Sequence, residues 1–121
     1  MPADFKQGTN LVGKVLASSQ ISAATTDTTV YTVPASSAAK IATATIANVS
    51  AAAVTVSVSV VPSGGTVDGT HKIVPDFSLA SNDTTNLIEL AGAMLDAGAF
   101  ISIKASAAAS INYLLTGSVS S

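Results

Sequence analysis

Cysteine is absent from the 121-residue chain, and with it any disulfide framework or thiolate metal site. Arginine and tryptophan are also absent. The basic residues are five scattered lysines, Lys6, Lys14, Lys40, Lys72 and Lys104. A nucleic-acid binder needs clustered cations to displace phosphate counterions. An anionic membrane surface asks for the same clustering. Neither partner is therefore expected. Charged residues make up only 10% of the chain and aromatics 4%, where an ordinary soluble domain carries about 25% charged residues. Ala, Ser and Thr take their place, not the Lys, Glu and Pro of disordered chains. These absences describe a folded protein with an unusually uncharged surface.

Long apolar runs are missing as well. Residues 41–67 carry no charge, but Thr and Ser alternate through them, and Asn48, Pro62 and Gly64-Gly65 interrupt them. A membrane helix wants about 20 predominantly apolar residues, so none is read here. The opening MPADFKQGTN has no apolar stretch of signal-peptide type. The expectation is a chain made and used without crossing a membrane.

What is present is a period of two. In VTVSVSVV, residues 54–61, Val54, Val56, Val58 and Val60 point one way along an extended chain. Thr55, Ser57 and Ser59 point the other way, giving a face of small hydroxyls. Further strands are expected at residues 11–17, 28–34, 39–50, 71–80, 84–90, 99–105 and 110–120. In 39–50 the apolar parity changes between Ile41 and Ile46, which predicts a bulge or bend. The short link after Asn48 suggests a hairpin between 39–50 and 52–61. Pro75 places the 71–80 strand at a sheet edge. Leu87, Leu90 and Met94 approximate a helical stripe, but Thr84, Thr85 and Gly92 weaken a helix there. The predicted fold is all-β: one antiparallel β-sandwich or jelly-roll-like domain of about seven to eight strands. Residues 1–20 are expected as an N-terminal arm and first strand, and residues 21–121 as the sandwich.

Catalytic and metal-binding patterns are sparse. His71 is the lone histidine; beside Lys72 at the start of a strand it reads as a surface residue, since nucleophilic catalysis needs a base held by a third group. Most of the seven acidic residues fall at turns, where Asp bonds its own backbone. They lack the close spacing of a calcium loop, although Asp68 and Asp76 could converge in space. SGGTVDGT precedes no helix and is a turn, not a phosphate loop. The aromatics Phe5, Tyr31, Phe77, Phe100 and Tyr113 read as core or interface residues. A sugar-binding reading would need Tyr31 and Tyr113 exposed side by side. No cofactor and no catalytic or metal-binding residue is assigned.

A hydroxyl face without charge has little to oppose association. The chain is therefore expected to be a homo-oligomer or lattice component. The candidate contact residues are Phe5, Leu11 and Val12 in the arm, Thr55, Ser57 and Ser59 on the hydroxyl face, and Ser63 and Val67 in the loop over residues 62–70.

Five segments carry a resemblance: Thr32-Val33-Pro34, Ile46-Ala47-Asn48, the run from Val54 to Gly65, the run from Leu79 to Leu90, and the run from Leu95 to Asn112. In that order they resemble a recurrent β-sandwich module of tailed-bacteriophage virions, which includes head decoration (cement) proteins and neck or tail accessory proteins. The resemblance spans residues 25–121. It implies a non-enzymatic role: a trimeric decoration protein that binds the major capsid protein or other virion proteins and is assembled in the host bacterial cytoplasm. A neck, tail or fibre-associated protein of the same particle is the alternative, followed by a carbohydrate-binding or adhesin module.

Overall fold

The computed structural model describes residues 12–120. Nine strands account for its regular structure: β1 (Val12–Gln20), β2 (Thr28–Thr32), β3 (Ala38–Asn48), β4 (Val54–Val61), β5 (Lys72–Leu79), β6 (Thr84–Asn86), β7 (Met94–Leu95), β8 (Phe100–Ala105) and β9 (Ile111–Ser120). No helix occurs among the described residues. The strands form two antiparallel sheets, one ordered β1-β9-β3-β6 with β7 also on β3, the other ordered β2-β8-β4-β5. If β6 and β7 are taken as one interrupted strand along β3, consecutive strands change sheet at every step but one. The exception is the β4–β5 hairpin. This is the wrapped connectivity of a jelly roll.

The inner faces follow the alternation. Val54, Val56 and Val58 from β4 and Ile101, Ile103 and Ala105 from β8 meet Ile41, Ala44, Ile46, Ile111 and Leu115 from the other sheet. Each fully buried Val, Ile or Leu contributes about 1.5–3 kcal/mol from surface removed from water.

The parity change in β3 is a bulge at Ala42: Ile41 opposes Gly117, while Thr43 opposes Thr116. A second bulge, at Leu16 in β1, lies opposite the same stretch of β9. β9 therefore runs unbroken between two bulged neighbours. Pro75 and Asp76 form a bulge in β5, an edge strand, where a residue without an N–H leaves no ladder bond missing.

Several expectations are corrected. β3 and β4 do not form a hairpin: β3 pairs with β9, β6 and β7, whereas β4 pairs with β5 and β8. The link between them crosses from one sheet to the other, held by the buried Asn48 side chain. The strand expected at 84–90 is only β6, Thr84–Asn86. Beyond it the backbone makes successive tight turns, with Leu90 N bonded to Leu87 O and Ala91 N to Ile88 O. These turns bury Leu87 and Leu90 and leave Met94 exposed, so two members of the helical stripe are core residues without a helix. The short pieces β6 and β7 raise the count to nine. The first strand runs to Gln20, past the expected end at Ala17.

Candidate interaction surface

The hydroxyl face read on β4 is not an open surface. Ser57 and Ser59 are only 5% and 3% exposed, and Thr55 is half-buried. Ser57 lies opposite Lys104, and Ser59 lies between Ser102 and Lys72 on the two neighbouring strands. Ser57 is also occupied within the chain: its Oγ donates to Asp76 Oδ1 at 2.9 Å and accepts from Asp76 N at 3.0 Å.

The other predicted contacts are dispersed. Ser63 is exposed and Val67 half-buried in the loop after β4, at one end of the sandwich. Val12 opens β1, opposite Val119. Phe5 and Leu11 lie outside the described residues. The structure does not bring these groups together into one site.

A hydroxyl face with a single charge does exist, on the outer side of the β1-β9-β3-β6 sheet. The registers align its outward residues in rows. One row is Val15, Thr116 and Thr43. The next is Ser18, Leu114, Thr45 and Asn86. The third is Gln20, Asn112, Ala47 and Thr84. At the far end Ser118 and Met94 flank Lys40, the one charged side chain in these four rows. Val15 (57% exposed), Leu114 (38%) and Met94 (78%) add apolar area.

Six polar side chains of this face bond one another in three pairs. Thr43 Oγ1 and Thr116 Oγ1 are 2.5 Å apart, Thr45 Oγ1 donates to Asn86 Oδ1 at 2.8 Å, and Gln20 Nε2 donates to Asn112 Oδ1 at 2.9 Å. This pairing sets the energetics. Covering a polar group costs free energy when it loses water and gains no partner, about 1–3 kcal/mol each. Groups already bonded across the strands lose far less when another surface closes over them. The sequence reading placed the hydroxyl face on β4 and missed the one that β9 carries. Its signal was present: Asn112, Leu114, Thr116 and Ser118 alternate with Ile111, Tyr113 and Leu115, again without charge.

Chemistry of other kinds finds little support. Among the described residues no group of three or more His, Asp or Glu side chains could hold a metal ion, and Asp68 and Asp76 do not combine into one. His71 is a half-buried loop residue whose Nδ1 lies 3.1 Å from Asp68 Oδ1 and 2.9 Å from Thr66 O. Tyr31 and Tyr113 belong to different sheets and both pack against the core, so they form no exposed aromatic platform. Burial pushes the Tyr31 hydroxyl above its ordinary pKa. Among the described residues no helix is long and apolar enough to cross a membrane. No family model, curated protein or solved structure matches the chain.

Proposed function

We propose that this protein is a non-enzymatic virion component of a tailed bacteriophage, a head decoration protein that binds the assembled capsid through the outer face of the β1-β9-β3-β6 sheet. The observation that carries the reading is that face: four aligned rows with Lys40 as their one charge, internally paired hydroxyls and amides, and exposed Val15, Leu114 and Met94. A solvated face ordinarily carries Lys, Glu and Arg. The resemblance over residues 25–121 supplies the particle. Jelly rolls occur in viral capsid domains and equally in lectins and cupins, so topology alone does not choose among them.

On this reading the protein does no chemistry. It recognises the lattice and not the free capsid subunit, and by mass action its binding stabilises the lattice. A neck or tail position on the same particle is the second reading. It rests on the same resemblance and predicts tens of copies where decoration predicts hundreds.

Immunogold electron microscopy of the source particles tests the proposal. Dense label over the head shell is the expected result. Label confined to the neck or tail would move the partner and keep the interface, and no label on any particle would refute the virion reading. In the same assay Thr45→Glu/Thr116→Glu should lose the label while its thermal midpoint stays within a few degrees of the parent's.

A further inference from the structure

The sandwich has four free strand edges among the described residues, and they are not alike. β5 carries Pro75, two register shifts and the charges of Lys72 and Asp76. β2 is five residues long with a bulge in its middle. β6 and β7 are three and two residues long. Short length, bulges, proline and charge are the devices that stop a sheet from adding a further strand. β1 is nine residues long, has no proline, and beyond its bulge at Leu16 keeps a regular, uncharged run from Ala17 to Gln20.

The direction of its free groups follows from one bond. Ile21 N donates to Ile111 O at 2.8 Å, so the backbone of Ile21 faces β9. Facing alternates along a strand. Ser19 and Ala17 therefore also face β9, and the N–H and C=O of Ser18 and Gln20 face outward. These two residues are symmetric about Ser19.

We propose that β1 pairs antiparallel with β1 of a second copy of this chain, about a two-fold axis at Ser19. Ser18 of each copy then stands opposite Gln20 of the other, and each such pair exchanges two N–H···O=C bonds. Charge selects this occupant. In a two-fold contact, residues near the axis meet their own kind, and Ala17-Ser18-Ser19-Gln20 brings no charge to meet itself. Lys14 lies on the far side of the bulge. The pairing joins the two outer faces into one sheet, β6-β3-β9-β1 continued by its symmetry mate, and doubles the hydroxyl platform. It gives two-fold symmetry where the resemblance implies three-fold. It stands apart from the virion reading, because the mass of the free protein and the label on a particle are separate measurements.

The full chain has no cysteine, so a single introduced thiol can form only an intermolecular disulfide. Opposed residues that do not share hydrogen bonds lie about 4.5 Å apart at Cα, inside the range a disulfide spans. Ser19→Cys should therefore oxidise to a covalent dimer, and Ser78→Cys, exposed on the β5 edge, should not. Light scattering on the parent should give a mass that doubles with concentration. Ser18→Pro removes an outward N–H and leaves the β1–β9 ladder whole. It should stay folded and become monomeric, whereas Ser19→Pro, which removes an N–H facing β9, should lower the thermal midpoint. A parent that stays monomeric or forms a trimer, a folded Ser18→Pro variant that still dimerises, or equal cross-linking at residues 19 and 78 would each overturn the proposal.

Discussion

Replacing Asn48 with alanine tests the corner that makes this chain a wrapped sandwich and not a meander. Asn48 is the last residue of β3, 1% exposed. Its Nδ2 donates to Ala52 O at 2.8 Å and to Leu79 O at 2.9 Å, and its Oδ1 accepts from Ser50 N at 2.9 Å and Ser50 Oγ at 2.7 Å. One amide therefore fixes the crossing segment to itself and to the end of β5 in the opposite sheet. A net hydrogen bond is worth about 1 kcal/mol. Losing this set, with the buried Leu79 carbonyl left short of a donor, costs about 3–4 kcal/mol. Domains of this kind are stable by about 5–15 kcal/mol, so the loss is a large fraction of the total. At about 4 °C per kcal/mol for a domain near this size, the thermal midpoint should fall by about 12–16 °C. Urea unfolding should show a lower midpoint with an unchanged slope. Asn48→Asp adds a check of sign. It keeps the acceptor for Ser50 but turns a carboxylate toward the carbonyls of Ala52 and Leu79, an arrangement that favours the protonated acid. Its penalty should be large at neutral pH and shrink as the pH falls and the carboxyl takes up a proton that it can donate. A loss below about 1 kcal/mol for Asn48→Ala would refute the reasoning.

Gly117→Ala should be severely destabilising, by about 3 kcal/mol or more, because an added Cβ would overlap the backbone carbonyl oxygen of Lys40 and press on Leu16 Cδ1. Gly69→Ala, with open space around it, should leave the same urea midpoint unchanged. In the loop, the Thr70 hydroxyl and then the Thr70 N–H hold the Asp68 carboxyl below the usual carboxylate range, with the His71 charge adding to the shift. A depressed folded-state pKa contributes stability that is present above the unfolded carboxylate pKa of about 3.9 and is lost as the pH falls through the lower folded value. The Thr70 amide resonance should accordingly titrate with a midpoint below 3.9, and Asp68→Asn should abolish that titration.

How far the fold could be read in advance depended on what alternation encodes. Period two assigns each side chain to one of two faces of its own strand, and here it was reliable. Val54, Val56 and Val58 of β4 point inward, and the parity change between Ile41 and Ile46 marks a real bulge at Ala42. Pro75 announced an edge. Alternation does not say which strand lies beside which. The partner of β3 is β9, more than 60 residues away, and a short link that looks like a hairpin turn can equally be a corner between sheets. Burial of an outward face is also beyond the pattern. Ser57 and Ser59 alternate as Thr43 and Thr45 do, yet they are buried, Ser57 against Asp76. The serines of the β4 stripe are therefore covered, and the open hydroxyl rows lie on the other sheet.

The distribution of charge completes the case for one face over the other. Asp27, Asp68, Asp83, Glu89 and Asp96 all fall in the connections between strands, at the ends and edges of the sandwich. Lys72, Asp76 and Lys104 belong to the β2-β8-β4-β5 sheet, where Asp76 binds Ser57 and the lysines flank the buried serines. The β1-β9-β3-β6 sheet carries Lys14 on its edge strand β1 and, in its outer rows, only Lys40. Charged groups are costly to strip of water and cheap to leave in it. A molecule that carries most of them at its ends and on one sheet, and pairs several polar groups of the other sheet among themselves, therefore has a preferred side for contact. If the protein coats a lattice, the charged sheet faces solvent and the neutral sheet faces the partner. Charge introduced on the neutral face, as in Thr45→Glu/Thr116→Glu, then weakens binding through desolvation. The same charge added to the β5 side, at exposed Ser78, meets water before and after binding and changes nothing.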